Sequence, residues 1–173
     1  MFVKTLAAAS LLVISASLSH AGPTYKAEDV VQFFAGAKPG ATRGICVGTP
    51  EECGVADPKP KALSFNLMVN FEKNSAQLTP DAMANLDEFS KALRDPRLNS
   101  ARFAVDGYAD ASGTEDYNLK LSDRRARSVV SYLASRGVPE VQLIPKGFGE
   151  TDPIAPDPYD PVNRRVVTSL VAR

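Results

Sequence analysis

"RFAVDGYADASGTEDYNLKLSDRRARSVVSYL", Arg102 to Leu133, changes its period partway along. Over the first nine residues Phe103, Val105, Gly107 and Ala109 alternate with Ala104, Asp106, Tyr108 and Asp110, the pattern of a half-buried strand. The chain then turns through Ser112 and Gly113. Beyond them Ala126, Val129, Val130 and Leu133 recur at helical spacing, with Ser122 placed to cap the helix and Gly137 and Pro139 placed to stop it. A strand that runs into a helix of this length sets an α/β reading, and the flanking sequence repeats it.

Upstream, "SFNLMVNF" points Phe65, Leu67, Val69 and Phe71 to one side of a strand. In "LTPDAMANLDEFSKAL", Thr79 is an N-cap, Pro80 sits at the first helical position, and Ala82, Leu86, Phe89 and Leu93 line one face. Downstream, "VQLIPKGFG" and "NRRVVTSLVA" are short strands joined by the proline-rich "ETDPIAPDPYDPV". The order is β-α-β-α-β-β, predicting an α/β (α+β) sandwich: a mixed four-stranded sheet with helices on one face.

The chain has 173 residues, 44% of them apolar, enough for one well-buried core. Residues 1–21 stand apart: a basic start, the compact apolar run "TLAAASLLVISASLS" and a small-residue ending read as a secretory signal peptide. Cleavage after Ala21 would release the remainder to the periplasm, and retention of the leader as a tether is the alternative. Residues 22–62 are loop-like, interrupted by "AEDVVQFFAG", where Val30, Val31, Phe33 and Phe34 make one face of a short helix. That helix either packs on the main domain or docks a partner. Cys46 and Cys53, the only cysteines, lie eight residues apart counting both ends, in a chain bound for an oxidising compartment. A disulfide is expected, with a free thiol pair as the alternative. "DPKPK" reads as a linker into the domain at 63–173.

Without the leader the chain keeps 19 basic and 20 acidic residues and no histidine, since His20 is the only one. A balanced charge gives no electrostatic footprint for nucleic acid. Without histidine there is no Ser-His-Asp or Cys-His nucleophile and no histidine-ligated zinc, and no cofactor or metal site is expected. Asp106 and Asp110, read as sharing a strand face, would be about 13 Å apart by strand rise. That exceeds the usual carboxylate separation of glycosidases, so binding rather than catalysis is expected.

Arginines at a helix start oppose the helix dipole unless something anionic compensates. On the helical wheel Arg124 faces away from the apolar stripe, while Arg125 lies at its edge and points towards Asp110. Asp110 and Arg125 either form a plain ion pair or are held apart to clamp a zwitterion, carboxylate to ammonium and guanidinium to carboxylate.

"GYADASGTEDYNLKLSDRRARSVVSYL", with "GFGETDP" and "NRRV", resembles the OmpA-like peptidoglycan-binding domain of outer-membrane proteins, peptidoglycan-associated lipoproteins and flagellar stator proteins; the resemblance covers Leu63 to Arg173. It implies non-covalent binding of peptidoglycan through the diaminopimelate of its stem peptide, with Asp110 and Arg125 holding the distal amino and carboxylate groups. It further implies Asn118 and Leu121 as intervening site positions, and matches the family's arginine pair to Arg164 and Arg165, of which Arg165 is taken into the site. A threonine usual before the aspartate is Ala109 here. About 40 residues upstream are too few for an outer-membrane barrel, which needs at least eight strands. A periplasmic or outer-membrane-associated wall linker is expected, with an envelope protein as a partner through the N-terminal segment. The alternative is a protein–protein module whose wall site is weak or vestigial.

Overall fold

The computed structural model describes residues 23–36 and 63–172. The expected leader, the Cys46–Cys53 pairing and the "DPKPK" linker lie outside the described residues. In chain order the elements are α1 (Ala27–Ala35), β1 (Ser64–Asn70), α2 (Pro80–Leu93), β2 (Arg102–Gly107), α3 (Glu115–Ser135), β3 (Leu143–Gly147) and β4 (Arg165–Ala172). Short 3-10 turns at Glu140–Gln142 and Pro161–Asn163 precede the last two strands.

The strands form one mixed sheet in the order β1-β4-β2-β3. β2 and β3 are parallel neighbours, as expected of strands joined by a helical crossover. β4 inserts between β1 and β2 and runs antiparallel to both. The expected mixed four-stranded α/β sheet is therefore what the chain forms. Period-2 alternation sends Leu67, Val69, Phe103, Val105 and Val166 into a single core with Leu86 and Phe89 of α2 and Val129 and Leu133 of α3. Thr168 is also fully buried on that side, and its hydroxyl donates to the Ala104 carbonyl.

α2 begins where the sequence places it: the Thr79 hydroxyl accepts from the Ala82 N–H and Pro80 fills the first position. α3 begins two turns earlier than expected. Thr114, not Ser122, is its N-cap, accepting from the Tyr117 N–H, and Glu115 and Asp116 in the first turn complement the dipole. The two arginines thus sit in mid-helix, and the apparent conflict with the helix dipole disappears. The C-terminus of α3 is as read: Gly137 takes a positive φ of 87°, and the Val138 N–H reaches back to the Leu133 carbonyl.

α1 is an integral part of the core. Val30, Val31 and Phe34 are buried, and Phe34 meets the Phe103 ring edge-on at 4.9 Å. Phe33 stays partly exposed. The Ala27 N–H donates to the Glu88 carboxylate, and Glu28 pairs with Arg97 across the surface.

Candidate functional site

Gly107 and Gly147, the last residues of β2 and β3, are register partners across the parallel pair. A Cβ on Gly107 would lie 2.2 Å from the Ser122 carbonyl oxygen, and one on Gly147 would lie 2.5 Å from the Asp123 amide. Only glycines at both strand ends let the middle of α3 press against the backbone there. The Ser122 hydroxyl, free of any capping duty, donates to the Leu119 carbonyl and accepts from the Gly149 N–H. This approach sets Arg125 beside the segment that continues from β2 through Tyr108 to Asp110.

Arg125 is completely buried. Its Nε donates to the Ser75 carbonyl at 2.9 Å, Nη1 to the Tyr108 carbonyl at 3.2 Å and Nη2 to the Glu72 carbonyl at 3.1 Å. The guanidinium also lies over the Phe71 ring, 5.1 Å from its centroid. Burial first, and then the charge of Arg164, lower its pKa to about 10, so it stays protonated at neutral pH. The side chain expected to reach along the surface is instead a bracket tying the β1–α2 loop to the end of β2. Arg124, its neighbour, is exposed.

Asp110 is buried, and both carboxylate oxygens are engaged: Oδ1 accepts from the Ser112 N–H at 3.1 Å and Oδ2 from Arg164 Nη1 at 2.9 Å. Burial alone would raise the Asp110 pKa; hydrogen bonds from Arg164 and Ser112 together outweigh it and hold the carboxyl below its ordinary value. Arg164 also donates through Nε to the Phe71 carbonyl at 2.8 Å. Two guanidinium groups and the Asp110 carboxylate thus converge where β2, α3 and the start of β4 meet, with the Glu150 carboxylate joined to the same loop through Asn118.

Asn118 is buried, donating through Nδ2 to the Asp110 backbone carbonyl and to the Glu150 carboxylate. It fixes the loop that carries Asp110. Leu121 is buried one helical turn before Arg125. Arg165 is elsewhere: with Val167 and Ser169 it stands on the sheet face away from the helices, lining a cleft with Asp106 and Tyr108. Its guanidinium covers the Tyr108 ring at 3.9 Å and donates to the Asp152 carbonyl. Asp106 shares that face and not the surroundings of Asp110, because β2 ends at Gly107 and Asp110 lies beyond the strand. Sequence reasoning named Arg164 beside Arg165 but took only Arg165 into the site, yet the period-2 rule carried back from Val166 separates the two.

The arrangement offers fixed charges of both signs at one place, a chemistry suited to holding a polar ligand. The OmpA family model matches residues 70–166, which include the whole charged cluster. Outer membrane protein A of Klebsiella aerogenes is 39% identical over 109 residues, covering 62% of this chain and 30% of that protein. The Shigella flexneri protein of the same name is 35% identical over 124 residues, covering 68% and 36%. The chain therefore spans about a third of the length of these two curated relatives. Among solved structures, the OmpA-like domain of FopA1 from Francisella tularensis aligns with a TM-score of 0.54 at 30% identity, covering 61% of this chain and 73% of that one. The peptidoglycan-associated lipoprotein from Burkholderia pseudomallei gives 0.53 at 25% identity, covering 61% and 88%. The C-terminal domain of Helicobacter pylori MotB gives 0.55 at 25% identity, covering 61% and 84%.

Proposed function

Since the chain belongs to the OmpA family, we propose that it binds peptidoglycan non-covalently and is a wall-linking module rather than an enzyme. The observation that carries this reading is the junction of Asp110 with Arg125 and Arg164, which sets fixed charges of both signs at one point. Diaminopimelate in a stem peptide ends in an ammonium and a carboxylate on one carbon. Asp110 takes the ammonium and the guanidinium cluster takes the carboxylate, while Asn118 and Leu121 hold the loop and helix that position them. The structural neighbour named as a peptidoglycan-associated lipoprotein supports wall binding. Arg165, on the other sheet face, has no direct part in it. The names of the curated relatives place them in the outer membrane, which agrees with a leader at 1–21 and a periplasmic site of action.

The reading as a protein-docking module loses its first candidate surface, because the apolar face of α1 is spent on the core through Val30, Val31 and Phe34. An envelope partner, if it binds through the N-terminal segment, would use residues outside α1.

Co-sedimentation with purified sacculi tests the proposal. The protein should pellet with walls carrying diaminopimelate and remain largely in the supernatant with walls carrying lysine at that position. Lysine lacks the distal carboxylate, and losing a charged hydrogen bond costs about 1.5 to 3 kcal/mol. Equal pelleting with both walls would sink the diaminopimelate assignment, and no pelleting with either would sink wall binding itself.

A further inference from the structure

Building on the wall-binding reading above, we propose that Arg164 sets ligand choice at this site: its internal ion pair with Asp110 is exchanged readily only for a ligand that brings a carboxylate of its own. The three charged groups differ in freedom. Arg125 is sealed, with three N–H groups on the carbonyls of Glu72, Ser75 and Tyr108, and cannot swing out without abandoning them. Asp110 is held by the Ser112 N–H and, through its backbone, by Asn118. Arg164 is the most exposed of the three, its side chain 17% accessible against 8% for Asp110. It also lines a cleft of about 400 Å³ with Phe71, Thr79, Ala82, Pro161 and Val162. The Nε bond to the Phe71 carbonyl gives it a pivot about which the rest of the guanidinium can turn.

An amine ligand reaching Asp110 must take Oδ2 from Arg164. That leaves a half-buried guanidinium without its counter-charge beside a second cation, Arg125, whose pKa is lowered first by burial and then by the charge of Arg164. A ligand carrying ammonium and carboxylate together offers an exchange: ammonium replaces Arg164 on Asp110 while the carboxylate receives Arg164, with Arg125 behind it. The ion pair thus penalises the wrong ligand more than it attracts the right one, a recognised route to specificity.

Synthetic stem pentapeptides with diaminopimelate or lysine at the third position, titrated calorimetrically into the secreted chain and its variants, test this. In these peptides the α-groups of the third residue are in peptide bonds, so only its side-chain end differs. Wild type should prefer the diaminopimelate peptide by about tenfold or more. In Arg164→Ala that preference should fall below about threefold, with the lysine peptide binding more tightly than it does to wild type. Arg164→Lys should keep most of the preference. A gain of lysine affinity is not something that mere loss of packing produces. An unchanged preference in Arg164→Ala, or equal weakening of both peptides, would overturn the role of Arg164 and leave wall binding standing. A wild type with no preference would take down the diaminopimelate assignment and this inference together. Nuclear magnetic resonance of wild type gives a reading independent of the variants' folding: the diaminopimelate peptide should move both the Asp110 carboxyl and the Arg164 Nε signals. Movement of the Asp110 signal alone would count against the exchange.

Discussion

Arg125 has a structural duty that its neighbour Arg124 does not share. Truncating it to alanine would orphan three buried carbonyls and empty the space over Phe71. Arg125→Ala should therefore cost about 3 to 5 kcal/mol of stability, measurable by urea denaturation, and its binding should be read only at temperatures where it is folded. Arg124→Ala, at an exposed position, should cost under about 0.5 kcal/mol in both stability and wall binding. Asp110→Ala should weaken wall binding by about 2 to 4 kcal/mol, because a ligand ammonium would be desolvated with no counter-charge. Asp110 also carries a pH signature. Its folded pKa is depressed, so its stabilisation is complete above the unfolded value near about 4 and is lost as pH falls through the folded value. Asp110→Asn should accordingly flatten the acid limb of the stability curve below about pH 4, in urea titrations run from pH 2 to 6. Between about pH 6 and 8 binding should be level, since the Asp110 carboxyl is held below its ordinary value and the Arg125 guanidinium titrates at about 10, so both keep their charge across that range.

At the level of elements, the reading of α3 shows what sequence discloses and what it hides. Ser122 was a plausible cap because apolar spacing becomes regular only after Leu121. The two turns before it, Glu115 to Lys120, are largely polar and exposed, yet Thr114 followed by two acidic residues is itself a helix start. Thr114→Ala should cost about 1 kcal/mol, whereas Ser122→Ala should act on the strand-end loop, by orphaning the Gly149 N–H. β1, β2 and α2 were legible because alternation and a Thr-Pro start are local signals. The depth of Arg125 was not, because its acceptors at Glu72 and Ser75 lie some fifty residues away in sequence and are brought near only by the sheet order. The close approach at Gly107 was hidden for the same reason. Gly107→Ala would force its methyl against the Ser122 carbonyl and should lower the melting temperature and wall binding together.

Across the whole molecule the core does not begin at Leu63. α1 closes its end, and the aromatic rings of Phe34, Phe65, Phe89 and Phe103 form one cluster that includes a residue from the N-terminal segment. Burying Val30, Val31 and Phe34 is worth about 1.5 to 3 kcal/mol each in transfer free energy, so a chain truncated at residue 63 should unfold at markedly lower urea concentration than one retaining α1. An unchanged midpoint would mean that α1 rests on the domain without supporting it.

The Arg125 bracket also bears on how such a chain can change over generations. A guanidinium that holds three carbonyls from two segments cannot be traded away without first endangering the fold, so substitutions there are removed for instability before ligand preference is ever exposed to selection. Arg164 carries no comparable structural duty, having one backbone acceptor and one carboxylate partner. Lineages adapting to a different wall chemistry would have an open mutational path at Arg164 and a closed one at Arg125, though the proposed site gives both groups a single ligand.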